Sequence, residues 1–90
     1  MGLVLLDVTF RAERAFGVRV PRDWHERLDI RKDGDDATLA QYHAFLLDLC
    51  REQGVEPPRE SWRVLLGLVE DASGEANFGP ETRLIQDIAP

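Results

Sequence analysis

Apolar residues recur along this chain at helical spacings in three places. Leu5, Val8, Thr9, Ala12 and Phe16 lie three and four apart, which predicts a helix over about 3–16 with one buried face. Leu6 and Phe10 sit four apart on a neighbouring stripe, so this helix is apolar over more than half its girth. Gly17 stands where a left-handed residue would stop it, and residues 18–21 read as extended. Leu39, Tyr42, Leu46, Leu49 and Cys50 predict a second helix over about 38–52. Thr38 and Gln41 have the spacing of a capping box at its start, and Gly54 is placed to end it. Trp62, Leu65, Leu68, Val69 and Ala72 mark a third helix over about 59–72, stopped by Ser73 and Gly74. Gly67 in its middle costs about 1 kcal/mol relative to alanine and points to close backbone packing there.

The rest of the chain is less regular. Between 22 and 37 the large apolar anchors are Trp24, Leu28 and Ile30, which allow a short helix over 22–28 ahead of a polar turn at 31–36. Val55, Pro57 and Pro58 belong to a semi-rigid connector. Residues 73–90 read as a long loop whose plugs are Phe78, Leu84, Ile85 and Ile88. No stretch alternates in the way a half-buried strand requires, so the expected fold class is all-α.

Ninety residues make one small domain, which buries only about 60–65% of its unfolded surface and so has modest stability. A content of 43% hydrophobic and 31% charged residues is that of a globular chain. No apolar run approaches the ~20 residues of a membrane span, and no signal-peptide pattern opens the sequence. The lone Cys50 allows no internal disulfide and makes a reducing, cytoplasmic setting the expectation. The net charge of −6 argues against nucleic acid as a partner. That charge is uneven. Residues 1–32 carry seven basic and five acidic side chains, and the remainder carries four basic and twelve acidic.

The two ends carry the most distinctive strings. The tail runs Phe78-Gly79-Pro80-Glu81-Thr82-Arg83-Leu84-Ile85-Gln86-Asp87-Ile88-Ala89-Pro90. The head begins Gly2-Leu3-Val4-Leu5-Leu6-Asp7 and runs through Phe16-Gly17-Val18-Arg19-Val20-Pro21. The tail resembles the loop that leads into the modification site of acyl and peptidyl carrier proteins, and the head resembles the helix that follows that site. In that family the two strings are consecutive; here they stand in reverse order. Read in permuted order, helix 59–72 with loop 73–90 resembles the family's first helix and long loop. Helix 3–16 resembles the site-bearing second helix, segment 20–30 the short third element, and helix 38–52 the last helix. The resemblance implies a small four-helix bundle with permuted helix order. Pro57 and Pro58 would bridge the family's usual termini. A slice across two tandem carrier domains is the alternative; the opening Met1 and the matching stop favour a single permuted domain over 1–90.

In the family a serine at the start of the second helix is esterified with phosphopantetheine, where backbone N–H groups and the helix dipole suit a phosphodiester. Gly2 falls at that position and has no oxygen to offer. The resemblance therefore implies a scaffold with no covalent cofactor. Ser61, which follows Glu60 and precedes Trp62, imitates the family's local order but lies away from the matching position. Its expected place is the first turn or cap of helix 59–72. Ser73 is expected in a turn. Asp7 and Glu13 match acidic positions with which the family meets its partners, whereas Val4, Arg11 and Arg14 depart from them.

Other chemistry finds little support. His43 and Cys50 are seven apart on one helix, His25 is remote, and no metal motif has that spacing. Cys50 lacks an indicated base, and no Gly-rich phosphate loop or Ser-His-Asp motif occurs. Trp24 and Trp62 are expected in the core. The expected function is thus a non-enzymatic, carrier-protein-like interaction module without metal, cofactor, nucleic acid or membrane. Its partner surface would comprise Leu3, Leu6, Asp7, Phe10, Arg11, Glu13 and Arg14, and its partner would be another protein, of fatty-acid, polyketide or peptide synthesis, or a second copy of the chain. The alternative is a true acyl or peptidyl carrier, modified with phosphopantetheine at a non-standard serine or completed by a neighbouring chain.

Overall fold

The computed structural model describes residues 3–88, with only the backbone of Leu3. Helices α1 (Leu3–Phe16), α2 (Trp24–Arg27), α3 (Leu39–Gln53) and α4 (Ser61–Ser73) follow one another, and a π-helical turn spans Leu84–Ile88. The described residues contain no strand, only an isolated antiparallel bridge between Thr38 and Arg83. The protein is all-α. None of its described helices is long and apolar enough to cross a membrane.

The helical periodicity becomes one core. Leu5, Val8, Ala12 and Phe16 of α1 are buried, and α1 packs chiefly on α4 while also meeting α3 and the π turn. A single apolar cluster joins Val8 and Phe16 to Leu46 and Leu49 of α3, to Leu65 and Val69 of α4, and to Leu84 and Ile88 of the tail. Ile85 packs against its edge. Phe45 enters the core although it lies off the stripe marked in the sequence. The Arg27 guanidinium, 5.2 Å from its ring centroid, shields its outer side while pairing with Glu52.

Both α1 and α3 end in the same way. Gly17 adopts φ +70° and Gly54 φ +69°, conformations that an L side chain rarely takes. The residue after each donates back five positions, Val18 N–H to Glu13 O at 3.2 Å and Val55 N–H to Cys50 O at 2.8 Å. The Gln53 amide then ties the extended segment after α1 to the end of α3, accepting from Arg19 N–H at 2.9 Å and donating to Arg19 O at 2.8 Å.

At the other end of α3 every orphan N–H has a partner. Thr38 and Gln41 form the capping box, with Gln41 N–H on Thr38 Oγ1 at 3.2 Å and Thr38 N–H on Gln41 Oε1 at 2.8 Å. The first two helical donors go to the tail instead: Leu39 N–H to Thr82 O at 2.7 Å and Ala40 N–H to Pro80 O at 3.0 Å. The tail is held in return by Leu84 N–H on Ala37 O at 2.9 Å.

Three expectations need correction. The tail is not irregular throughout, because Asp36 caps a helical turn within it: Oδ1 accepts from Ile85 N–H at 2.9 Å and Oδ2 from Gln86 N–H at 3.1 Å. Helix α4 starts at Ser61 rather than near 59, since Glu60 takes a left-handed φ of +52° that no right-handed helix can include. Gly67 does not mark close packing, for a Cβ built there meets nothing within 4 Å.

Two stability changes follow. Leu84→Ala should cost about 2–5 kcal/mol, enough to abolish or sharply lower the cooperative melt of so small a domain followed by circular dichroism. An unchanged midpoint would mean that the tail contributes nothing to the core. Gly67→Ala should raise stability by about 1 kcal/mol, as helix propensity improves with no clash to offset it; a lower midpoint would reveal a contact at that face.

Candidate functional site

Helix α1 has two apolar faces, and the fold covers one of them. Leu6 and Phe10 remain 50% and 53% exposed, the exposed large hydrophobic side chains among the described residues. Four-residue spacing puts them on one stripe of the helix, and Arg14, also exposed, continues it by one more turn. Asp7 and Arg11 flank the stripe and pair with each other at 3.0 Å across one helical turn. Both are partly exposed, so this pair contributes little to stability. Glu13 is used differently: its Oε2 accepts from Val20 N–H at 2.8 Å and fixes the chain after α1. Gly2, at the expected attachment position, and the side chain of Leu3, which completes the expected surface, lie outside the described residues.

Beside the stripe lies a groove of about 930 Å³. Its apolar walls are Leu5 and Leu6 from α1, Trp24, Ile30 and Ile85; its rim carries Arg31, Lys32 and Arg83 with Asp33, Asp35 and Asp36. Four separate segments meet here: the start of α1, the region of α2, the polar turn and the tail. Asp36 is committed to the tail, and Asp35 Oδ2 accepts from Arg31 N–H at 3.1 Å and Lys32 N–H at 3.2 Å, closing the polar turn. Trp24 is seated by His25, with ring centroids 3.8 Å apart, and by the edge of Tyr42.

At the base of this groove Thr9 faces the core. Its hydroxyl lies 3.2 Å from the Tyr42 hydroxyl, and both side chains are buried. Removal from water pushes the Tyr42 phenol up to about 12; the Thr9 hydrogen bond opposes the shift, and the nearby Glu13 charge adds to it. A phenol so placed is a structural hydrogen-bonding group at neutral pH.

The remaining candidate residues do not converge on the groove. His43 Nε2 lies 2.8 Å from Ser61 Oγ, and the edge of Trp62 meets the imidazole with centroids 5.4 Å apart. Burial lowers the His43 pKa, which favours the neutral ring. Ser61 is thus the first residue of α4 and the hydrogen-bond partner of a histidine. Ser73 Oγ accepts from Glu75 N–H at 3.2 Å and shapes the turn after α4. Cys50 is buried, and the loss of hydration raises its thiol pKa, leaving little thiolate. Trp24 is buried, whereas Trp62 is only half-buried against the core. No cluster of three or more His, Cys, Asp or Glu suited to a metal ion occurs among the described residues.

The sequence marked the Leu6 and Phe10 stripe but not the groove. Trp24, Ile30, Lys32, Arg83 and Ile85 carry no shared local pattern, and only the docking of the tail brings them together. No protein-family model, curated protein or solved structure matches the chain.

The tyrosine environment has a measurable consequence, since Tyr42 is the single tyrosine of the chain. Its tyrosinate absorbance should appear near pH 12 in the folded protein rather than near 10. The unfolded chain loses this proton first, so folding stability is whole below pH 10 and falls as the pH rises towards 12. A transition near 10 with the protein still folded would place the phenol in water.

Proposed function

We propose that this chain is a non-enzymatic interaction module on a carrier-protein-like scaffold, a small helical bundle with the helices in permuted order and no covalent phosphopantetheine. One observation carries the reading: the head and the tail share a core and a groove. Leu84 and Ile88 lie in the same apolar cluster as Leu5 and Val8, and Leu5, Leu6, Ile85 and Gln86 line one cleft. The two strings that resemble consecutive parts of a carrier protein thus meet in space although they open and close the sequence. That meeting supports one permuted unit over two half-domains. Helix α1 takes the role of the site-bearing helix, α2 that of the short third element, α3 that of the last helix, and α4 with the following loop that of the first.

In this reading Gly2 stands at the attachment position and supplies no nucleophile, so what remains of the scaffold's work is protein recognition. The Leu6 and Phe10 stripe is its surface, with Arg11 and Arg14 beside it, and the partner is another protein of acyl or peptidyl synthesis. A second reading draws on the Ser61–His43 contact at 2.8 Å: a hydroxyl bonded to a neutral imidazole is the serine best placed to accept a group. It is less favoured, because the groove does not include Ser61.

Incubation of the purified chain with coenzyme A and a promiscuous phosphopantetheinyl transferase, followed by intact mass, tests the two against each other. The mass should stay unchanged. A stoichiometric pantetheine adduct on Ser61 or Ser73 would overturn the leading reading, and Ser61→Ala would show which serine carries it.

A further inference from the structure

We propose that Asp33 is a site of spontaneous backbone modification, at which the folded chain converts the Asp33–Gly34 linkage through a succinimide into an isoaspartyl linkage. Every other aspartate of the chain precedes a residue that carries a Cβ. Asp33 alone precedes a glycine, whose backbone nitrogen a side-chain carboxyl can approach unhindered. In the first step the Gly34 nitrogen attacks Asp33 Cγ and forms an N–Cγ bond, and the amide proton leaves as water with the hydroxyl of the protonated carboxyl. Water then adds to one of the two ring carbonyls. Breaking the new N–Cγ bond restores aspartate. Breaking the original bond between the Asp33 carbonyl carbon and the nitrogen leaves the main chain running through Cβ and Cγ, with a free α-carboxylate. One water is lost and one regained, so the conversion needs no other reactant.

The fold leaves both reacting groups free. Asp33 and Gly34 form the exposed tip of a turn closed by Asp35 N–H on Lys32 O at 3.1 Å, and Gly34 there takes φ +94°. A Cβ built on Gly34 would meet nothing within 4 Å beyond its chain neighbours, so no other group crowds the tip. Within the described residues Gly34 N–H has no acceptor, and the Asp33 carboxylate has neither a hydrogen bond nor an ion pair. The next acids differ. Asp35 holds Arg31 and Lys32 N–H, and Asp36 holds Ile85 and Gln86 N–H, so ring closure at either would first have to release those bonds. The position also gives the modification a consequence. An isoaspartyl linkage adds one main-chain atom between Lys32 and Asp35, inside the loop that Asp35 closes with its own N–H and its carboxylate. That loop cannot keep both closures at the new length, and it lies on the rim of the groove just ahead of the Asp36 cap.

The test uses the full chain, aged folded at neutral pH and, in parallel, unfolded in urea. Isoaspartyl methyltransferase with labelled S-adenosylmethionine reads the product on the intact protein. A protease that cuts after glutamate then releases residues 27–52, in which electron-transfer fragmentation tells isoaspartate from aspartate at each position. The folded chain should accumulate isoaspartate at position 33 and at no other aspartate, at a rate comparable with that of the unfolded chain. Amide resonances of Arg31 and Lys32 should shift in the modified fraction as their bonds to Asp35 are lost. Asp33→Glu should abolish the product and leave the melting temperature unchanged, because the Asp33 carboxylate holds no partner. Asp33→Asn should reach the same succinimide by losing ammonia and end in the same mixture of aspartate and isoaspartate. No isoaspartate in the folded chain, whether or not it forms in urea, would mean that the turn keeps Asp33 away from Gly34 and would overturn the proposal. So would a folded-state product at another aspartate, or one that persists in Asp33→Glu. Unshifted Arg31 and Lys32 amides in the modified chain would strike the claimed loss of closure.

Discussion

The interlocking of the tail with the start of α3 is the constraint on which the rest of the fold hangs. Thr82 and Pro80 carbonyls accept the first two N–H groups of α3, and Ala37 O with the Asp36 carboxylate accepts the first three of the π turn. Each segment thereby satisfies donors that the other would leave orphaned, and a buried unpaired donor costs about 1–3 kcal/mol. With its backbone held in this way, the tail presents Leu84 and Ile88 to the core and leaves Ile85 and Gln86 at the surface as a groove wall. The core under α1 and the groove beside it are two sides of the same docked segment.

Acidic side chains do much of the structural work at this end of the molecule. Asp36 acts as a remote helix cap, with its oxygens on backbone donors nearly fifty residues away in sequence. Asp35 and Glu13 close local turns in the same fashion, each on backbone N–H groups. By contrast, the pairs Asp48–Arg51 and Glu60–Arg63 lie in solvent, where such contacts contribute at most about 1 kcal/mol. This division bears on function. Glu13 is taken up internally by Val20 N–H, and Asp7 pairs with Arg11. The outer face of α1 is therefore apolar at Leu6 and Phe10, with the Asp7–Arg11 ion pair beside them.

Helix α1 shows how the interior limits function. Its buried stripe is filled by contacts from three other elements, and its one polar member, Thr9, is bound to Tyr42. Neither hydroxyl is suited to proton transfer at neutral pH, since burial has removed the phenolate from reach. The neighbouring stripe has no such partners within the described fold, and Leu6 and Phe10 stand half in water. Side chains on the outer stripe can change without disturbing the packing of the inner one.

How much of this was legible depended on how local the physics was. Periodicity placed the three long helices, because a buried stripe repeats every three or four residues whatever it packs against. The capping box at Thr38 and Gln41 and the glycine stops at 17 and 54 were legible for the same reason: each is complete within a few residues. The start of α4 was not, because the left-handed turn at Glu60 leaves no mark in residue type. Nor was the turn at Leu84–Ile88, whose cap is Asp36, or the groove, whose walls come from four segments. The sequence by itself determined the all-α class, the buried faces of the helices and the Leu6–Phe10 stripe. Only the tertiary structure decided that the tail docks on α3 and α1 and that Asp36 caps its helical turn, because those outcomes rest on hydrogen bonds and contacts between residues far apart in the chain.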